Sequence, residues 1–107
     1  MAIKFLYVTA PSSDVAETLA KDLLTEKLAA CVNILPRMRS FYHWRGAIAC
    51  DDECVLIVKT AAQAVQKAKE RLLALHPYET PCIAALDINE AGSNEAFVQW
   101  VQGEISG

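Results

Sequence analysis

The chain has 107 residues, 53% hydrophobic and 21% charged, so it reads as one ordered domain over 1–107 and excludes a disordered segment. Its net charge is −3, and its 10 Lys plus Arg form no run or stripe, which argues against a nucleic-acid partner. No apolar stretch reaches the roughly 18 residues that a membrane-spanning helix needs, so no membrane partner is expected.

Residues 3–10, IKFLYVTA, are β-branched, aromatic and almost wholly apolar, the pattern of an interior strand buried on both faces. The N-terminal stretch MAIKFLYVTAP carries one Lys and lacks the longer apolar core and cleavage site of a secretory leader, so the expected location is cytoplasmic. Pro11 stops the strand, and Ser12 or Ser13 offers an N-cap. Val15, Ala16, Leu19, Ala20, Leu23, Leu24 and Leu28 then recur at helical spacing, with Asp14, Glu17, Lys21, Asp22 and Lys27 opposite.

Residues 29–36, AACVNILP, read as a second strand closed by Pro36. Residues 40–46 continue as an aromatic strand, AIACDDE forms a turn region, and residues 53–60 return as a strand. Thr60 and Gln63 have the spacing of a capping box for a second helix. Ala61, Ala64, Val65, Ala68, Leu72 and Leu75 line one face of that helix, which ends at His76-Pro77 because the residue before proline avoids helical geometry. Residues 82–88 form the last strand. A short terminal helix follows, with Phe97, Val98, Val101 and Ile105 inward.

The order β-α-β-β-α-β plus a terminal helix predicts an α+β, ferredoxin-like βαββαβ sandwich with an antiparallel sheet in strand order 4-1-3-2. In that plan two helices cover one sheet face and leave the other open. An open face in water should be polar at every second strand position, yet Ile3, Phe5 and Tyr7 lie opposite Leu6 and Val8. Val55 and Ile57 likewise lie opposite Leu56 and Val58. The expectation is self-association over the open face and along exposed sheet edges.

The segments TAPS, EKLAACVNILP, SFYHWRGAI, VLIVKT and HPYETP occur in the order and spacing of the CutA divalent-cation tolerance proteins, which the chain resembles from about residue 3 to residue 101. The resemblance implies a ferredoxin-like subunit in a tight homotrimer, with a long aromatic hairpin reaching over a neighbouring copy. It also implies a role in tolerance of copper or another divalent cation, with no catalytic activity and no organic cofactor. Cys82 stands where such proteins usually carry an acidic residue, and Ala47 where they usually carry Lys.

His76, Glu79 and Cys82 are spaced by three residues in a segment that turns from helix to strand. Imidazole, carboxylate and thiolate form a mixed donor set suited to copper or zinc. The alternative for the same stretch is a stiffened corner, with His76 at a helix C-terminus and Tyr78 as a partly buried ring. Cys31 and Asn33 share one strand face, opposite Val32 and Ile34. Tyr42 and Trp44 project together from the hairpin with His43 on its other face, and Lys59 is positioned to hold an anion or pair with Glu79. With Tyr78, Cys31, Asn33, Tyr42, Trp44 and Lys59 are the expected lining of an intersubunit cleft.

The four cysteines, Cys31, Cys50, Cys54 and Cys82, contain no C-x-x-C pair, and the strand order sets Cys31 and Cys82 about 14 Å apart, too far for an intrachain disulfide. Cys50 and Cys54 flank an acidic DDE that reads as a solvated turn. A trimeric sensor resembling the PII signalling proteins, holding a small anion or nucleotide through Lys59, is the alternative function. Four glycines and no phosphate-cradling loop count against it. An enzyme using Cys31 or Cys82 with His76 as base ranks last, because nothing sets a thiol beside that imidazole.

Overall fold

A computed structural model describes residues 2–105. Its elements are β1 (Ile3–Ala10), α1 (Ser13–Thr25), β2 (Cys31–Trp44), β3 (Ala47–Ala61), a 3-10 turn (Ala62–Ala64), α2 (Val65–Leu75), β4 (Ile83–Asp87) and α3 (Glu95–Glu104). The strands form one antiparallel sheet in the order β2-β3-β1-β4, as the split βαβ plan requires. Cys31 and Cys82 therefore belong to opposite edges, and all four thiols are free.

Ser12 caps α1: its backbone is extended and its Oγ accepts from the Val15 N–H at 3.2 Å. Ala16, Leu19, Ala20 and Leu23 are the buried stripe, whereas Leu24 points outward. The helix ends in a Schellman motif. The Leu28 N–H donates to the Leu23 carbonyl at 2.8 Å and the Lys27 N–H to the Leu24 carbonyl at 3.1 Å, with Lys27 left-handed at φ 55°.

The chain between α1 and α2 corrects three expectations. Pro36 does not close a strand. β2 runs through it as a β-bulge, in which Pro36 and Arg37 together oppose Cys54 between the pairs Leu35–Val55 and Met38–Glu53. An edge strand tolerates the missing N–H of proline at such a bulge, and Arg37 takes φ 59° to complete it. Residues 47–53 are strand and not turn. The reversal needs only Arg45 and Gly46, both at positive φ, which gives a two-residue hairpin of the type that matches strand twist. Thr60 caps nothing. It lies buried in β3, where its Oγ1 donates to the Leu28 carbonyl at 2.7 Å, and α2 starts from the 3-10 turn without a side-chain cap.

The main core lies between the sheet and the helices. Leu6, Val8, Leu56 and Val58 meet Leu19 and Leu23 of α1 and Ala68 and Leu72 of α2. On the other face, α3 covers one end of the sheet. Val98 and Val101 pack on Ile3 with Phe5 and Phe97, and Ile105 reaches Ala61 and Ala64. The rest of that face is open. Beyond Ala10, which pairs with Cys54, β1 stops and the β2–β3 hairpin continues as an unsupported arm, drawing the molecule out to 45 × 28 × 21 Å.

Candidate functional site

Strand alternation decides what the open face carries. β1 and β3 pair Tyr7 with Ile57 and Phe5 with Lys59, so odd-numbered residues of both strands share this face. Cys31, Asn33 and Leu35 of β2 pair with Lys59, Ile57 and Val55 and join them. After the bulge the parity of β2 inverts, and Met38, Tyr42 and Trp44 come to the same face opposite Glu53, Ala49 and Ala47. A strict count of two along β2 would separate Cys31 from Tyr42. The extra residue at Pro36–Arg37 unites them.

The face so formed is apolar and largely uncovered. Leu35 is 51% exposed and Trp44 59%, with Tyr42 and Leu86 also in solvent. The Tyr7 hydroxyl donates to the Met38 sulfur at 3.8 Å, which joins the body of the sheet to the arm. Asn33 is exposed, and its amide donates to the half-buried Cys31 thiol at 3.8 Å. Lys59 lies at the end that α3 covers. Its ammonium is 5.7 Å from the Phe5 ring and 5.5 Å from the Phe97 ring, a double cation–π contact. The expected Lys59–Glu79 pair is not made. Lys59 sits opposite Phe5, whereas the 76–82 corner docks at the other end of β1, on Thr9.

That corner is built around His76. α2 ends there because Pro77 forces an extended backbone, φ −71° and ψ 135°. The ring is buried. Nε2 lies 2.7 Å from the Thr9 carbonyl oxygen, and Nδ1 accepts the Tyr78 N–H at 3.1 Å. The Tyr78 ring lies against the imidazole, tilted by 48° with 4.8 Å between centroids, and its hydroxyl donates to Glu53 at 3.0 Å. Burial, followed by the bond to Glu53, pushes the Tyr78 phenol up to about 12. The Tyr42 hydroxyl donates to Asp51, and this bond is the main cause that raises the phenol above its ordinary value.

As a single-chain metal site the corner does not fit. Both His76 nitrogens already have partners, so neither offers a lone pair to an ion. Glu79 and Cys82 are exposed, and among the described residues no three His, Cys, Asp or Glu side chains converge. His43 pairs with Ile48 on the arm's other face, as alternation predicts, and Arg39 donates to Cys50 there at 3.1 Å. Met38, Asp51 and Glu53 are members of this surface that the sequence pattern did not place there. Only the strand register, fixed by the bulge and the Arg45-Gly46 turn, brings them into it.

Residues 4–104 match the family described as CutA1 divalent ion tolerance protein. The chain is similar to the divalent-cation tolerance protein CutA of Thermus thermophilus, with 48% identity over 95 residues, 89% of this chain and 90% of that one. To the protein of the same description from Archaeoglobus fulgidus it is 46% identical over 101 residues, 94% of this chain and 96% of that relative. Among solved structures, the divalent ion tolerance protein CutA1 of Ehrlichia chaffeensis superposes with a TM-score of 0.93 at 37% identity, covering 99% of this chain and 97% of that one.

Proposed function

The chain belongs to the CutA1 divalent ion tolerance family, and on that premise we propose that it works as a homotrimer that binds copper or another divalent ion between copies, without catalysis. The observation that carries this reading is the open sheet face with its projecting arm. Leu35, Tyr42, Trp44 and Leu86 lie exposed on one face of the sheet and arm. Each large apolar side chain left in water forgoes on the order of 1 kcal/mol or more that a covering copy would recover. A second copy is the occupant with the matching chemistry: its own edge strands and its own apolar face.

Because no donor set converges among the described residues of one chain, the ion site belongs at a boundary between copies. Edge-to-edge pairing brings the β2 edge with Cys31 toward the β4 edge of a neighbour with Cys82 and the nearby Glu79. Two thiolates and a carboxylate suit copper or zinc. Free thiols, two of them exposed, suit a reducing compartment such as the cytoplasm.

Sedimentation at low micromolar concentration tests the assembly: three chains of 11.7 kDa give about 35 kDa. Calorimetric titration of the reduced protein with copper and zinc tests the ligands. Cys31→Ser and Cys82→Ser should each weaken uptake at least about tenfold with the mass unchanged; wild-type affinity in both removes these ligands from consideration.

One observation favours a second reading, a PII-like sensor of a small anion. The Lys59 ammonium lies between two rings beneath α3 and has no carboxylate partner among the described residues. Titration with nucleotides and small carboxylates, with Lys59→Met as control, separates this reading from the first.

A further inference from the structure

His76 is only 7% exposed, and the partners of its two ring nitrogens dictate its protonation state. The Thr9 carbonyl can only accept, so Nε2, 2.7 Å away, carries the hydrogen. The Tyr78 backbone N–H can only donate, so Nδ1, 3.1 Å away, is bare. Neutral imidazole satisfies both partners in one tautomer. A second proton has a single place to go, Nδ1, where it would point at the Tyr78 N–H. Two donors then face each other inside a buried corner, and the hydrogen bond between them is gone.

Tyr78 carries that event outward. Its ring lies against the imidazole, and its hydroxyl holds Glu53, which pairs with Met38 at the root of the arm. Past this point β1 no longer supports the hairpin, so the Tyr78–Glu53 bond and the Tyr7–Met38 contact tie the arm to the body.

We propose that His76 is an acid-operated latch: neutral, it closes the 76–82 corner and secures the arm through Tyr78 and Glu53; protonated, it lets go of the Tyr78 amide and frees the arm at its root.

The groups around the ring support this direction. β1 presents the Thr9 carbonyl, α2 ends at its side with the His76 N–H on the Leu72 carbonyl, and the corner presents the Tyr78 amide and ring. Glu53 and Asp51 of β3 and Tyr42 of β2 stand beyond the Tyr78 phenol. Among the described residues no carboxylate lies within ion-pair distance of the imidazole to stabilise a positive charge. The C-terminus of α2 does favour a cation, but it leaves the new N–H aimed at a donor. The consequence for assembly rests on the proposed trimer. If Tyr42 and Trp44 of the arm grip a neighbouring copy, acid loosens that grip.

Nitrogen NMR and hydrogen exchange on the full chain test the latch from about pH 7.5 downward until the ring signals of His76 report a second proton, and a fold lost before that point overturns it. The chain has two histidines, so His43→Gln assigns the ring signals. The expected result at the upper pH is the Nε2–H tautomer of His76. As that ring gains its proton, protection of the amide at position 78 falls about tenfold, the scale of one hydrogen bond, and protection across the arm falls with it. In Tyr78→Phe the arm should be loose throughout this range while the amide at 78 still responds. His76→Gln, which keeps a donor and an acceptor but takes no charge, should abolish the pH response. An Nδ1–H tautomer, an amide at 78 indifferent to His76 protonation, or an arm that stays protected after the amide is released would each overturn the proposal. Sedimentation of the same samples decides the assembly separately: a single chain at pH 7.5 refutes the trimer, and the exchange data still decide the latch.

Discussion

Trp44→Ala is the sharpest test of the covered-face reading. Trp44 sits near the tip of the arm, 59% exposed, with Arg45 over its ring at 5.5 Å. A tryptophan side chain buries about 150–250 Å² when fully covered. The uncovered fraction is therefore about 90–150 Å², worth about 2–4 kcal/mol per copy if a neighbour encloses it. At 1.4 kcal/mol per tenfold, that weakens association by about 30- to 700-fold. Folding of the chain itself should suffer little, because the tip makes few contacts with the body and exposed substitutions stay near 0.5 kcal/mol. Sedimentation over a concentration series, with far-UV circular dichroism as the folding control, reads both quantities. Phe41→Ala is the matched control: Phe41 is 69% exposed but pairs with Cys50 on the arm's opposite face, and its removal should shift assembly much less. Equal effects from the two variants, or none from Trp44→Ala, would refute the argument that the open face is what a second copy covers.

Three further predictions concern the body of the fold. Lys27→Gly should stabilise the chain by about 1 kcal/mol in urea denaturation, because Lys27 holds the left-handed position of the α1 Schellman motif. Asp22 accepts two bonds from Arg71, both 2.7 Å, and this pairing holds its carboxyl below the ordinary range. The pair's contribution is therefore present above about pH 4 and fades as pH falls through the lowered value. Asp22→Asn should remove that part of the acid dependence in denaturation curves taken from about pH 7 to 3. The Tyr78 phenol, raised to about 12, should ionise last in an ultraviolet pH titration. The stabilisation it reports is complete below the ordinary tyrosine value near 10 and is lost as pH rises through about 12. Tyr78→Phe should delete that late step.

Local chemistry wrote much of the fold into the sequence. The apolar stripe of α1, the serine cap at Ser12 and the stop before Pro77 follow from periodicity and backbone preference, which act over a few residues, and the strand order follows from the order of elements and the handedness of their crossovers. The same local rules failed at Pro36 and at Thr60. A proline on an edge strand has another option, a bulge, and a threonine facing a core finds a carbonyl from a distant segment, the Leu28 oxygen.

The candidate surface was half legible. Cys31 with Asn33, and Tyr42 with Trp44, could each be placed on a common face by counting in twos. Whether the two pairs shared a face depended on one extra residue at Pro36–Arg37, and a strand bulge is specified by its pairing partner, not by its own letters. His76 shows the same division. Its place at a corner is dictated by the proline that follows it, whereas its chemistry is not. The Thr9 carbonyl and the Tyr78 amide claim both nitrogens, and Thr9 is 67 residues away in the chain. Sequence set the period of each element and some of the stops, such as the one before Pro77, because those depend on neighbouring bonds. The tertiary fold decided which face met which, and which lone pairs were left to bind, because those depend on groups that only folding brings within about 3 Å.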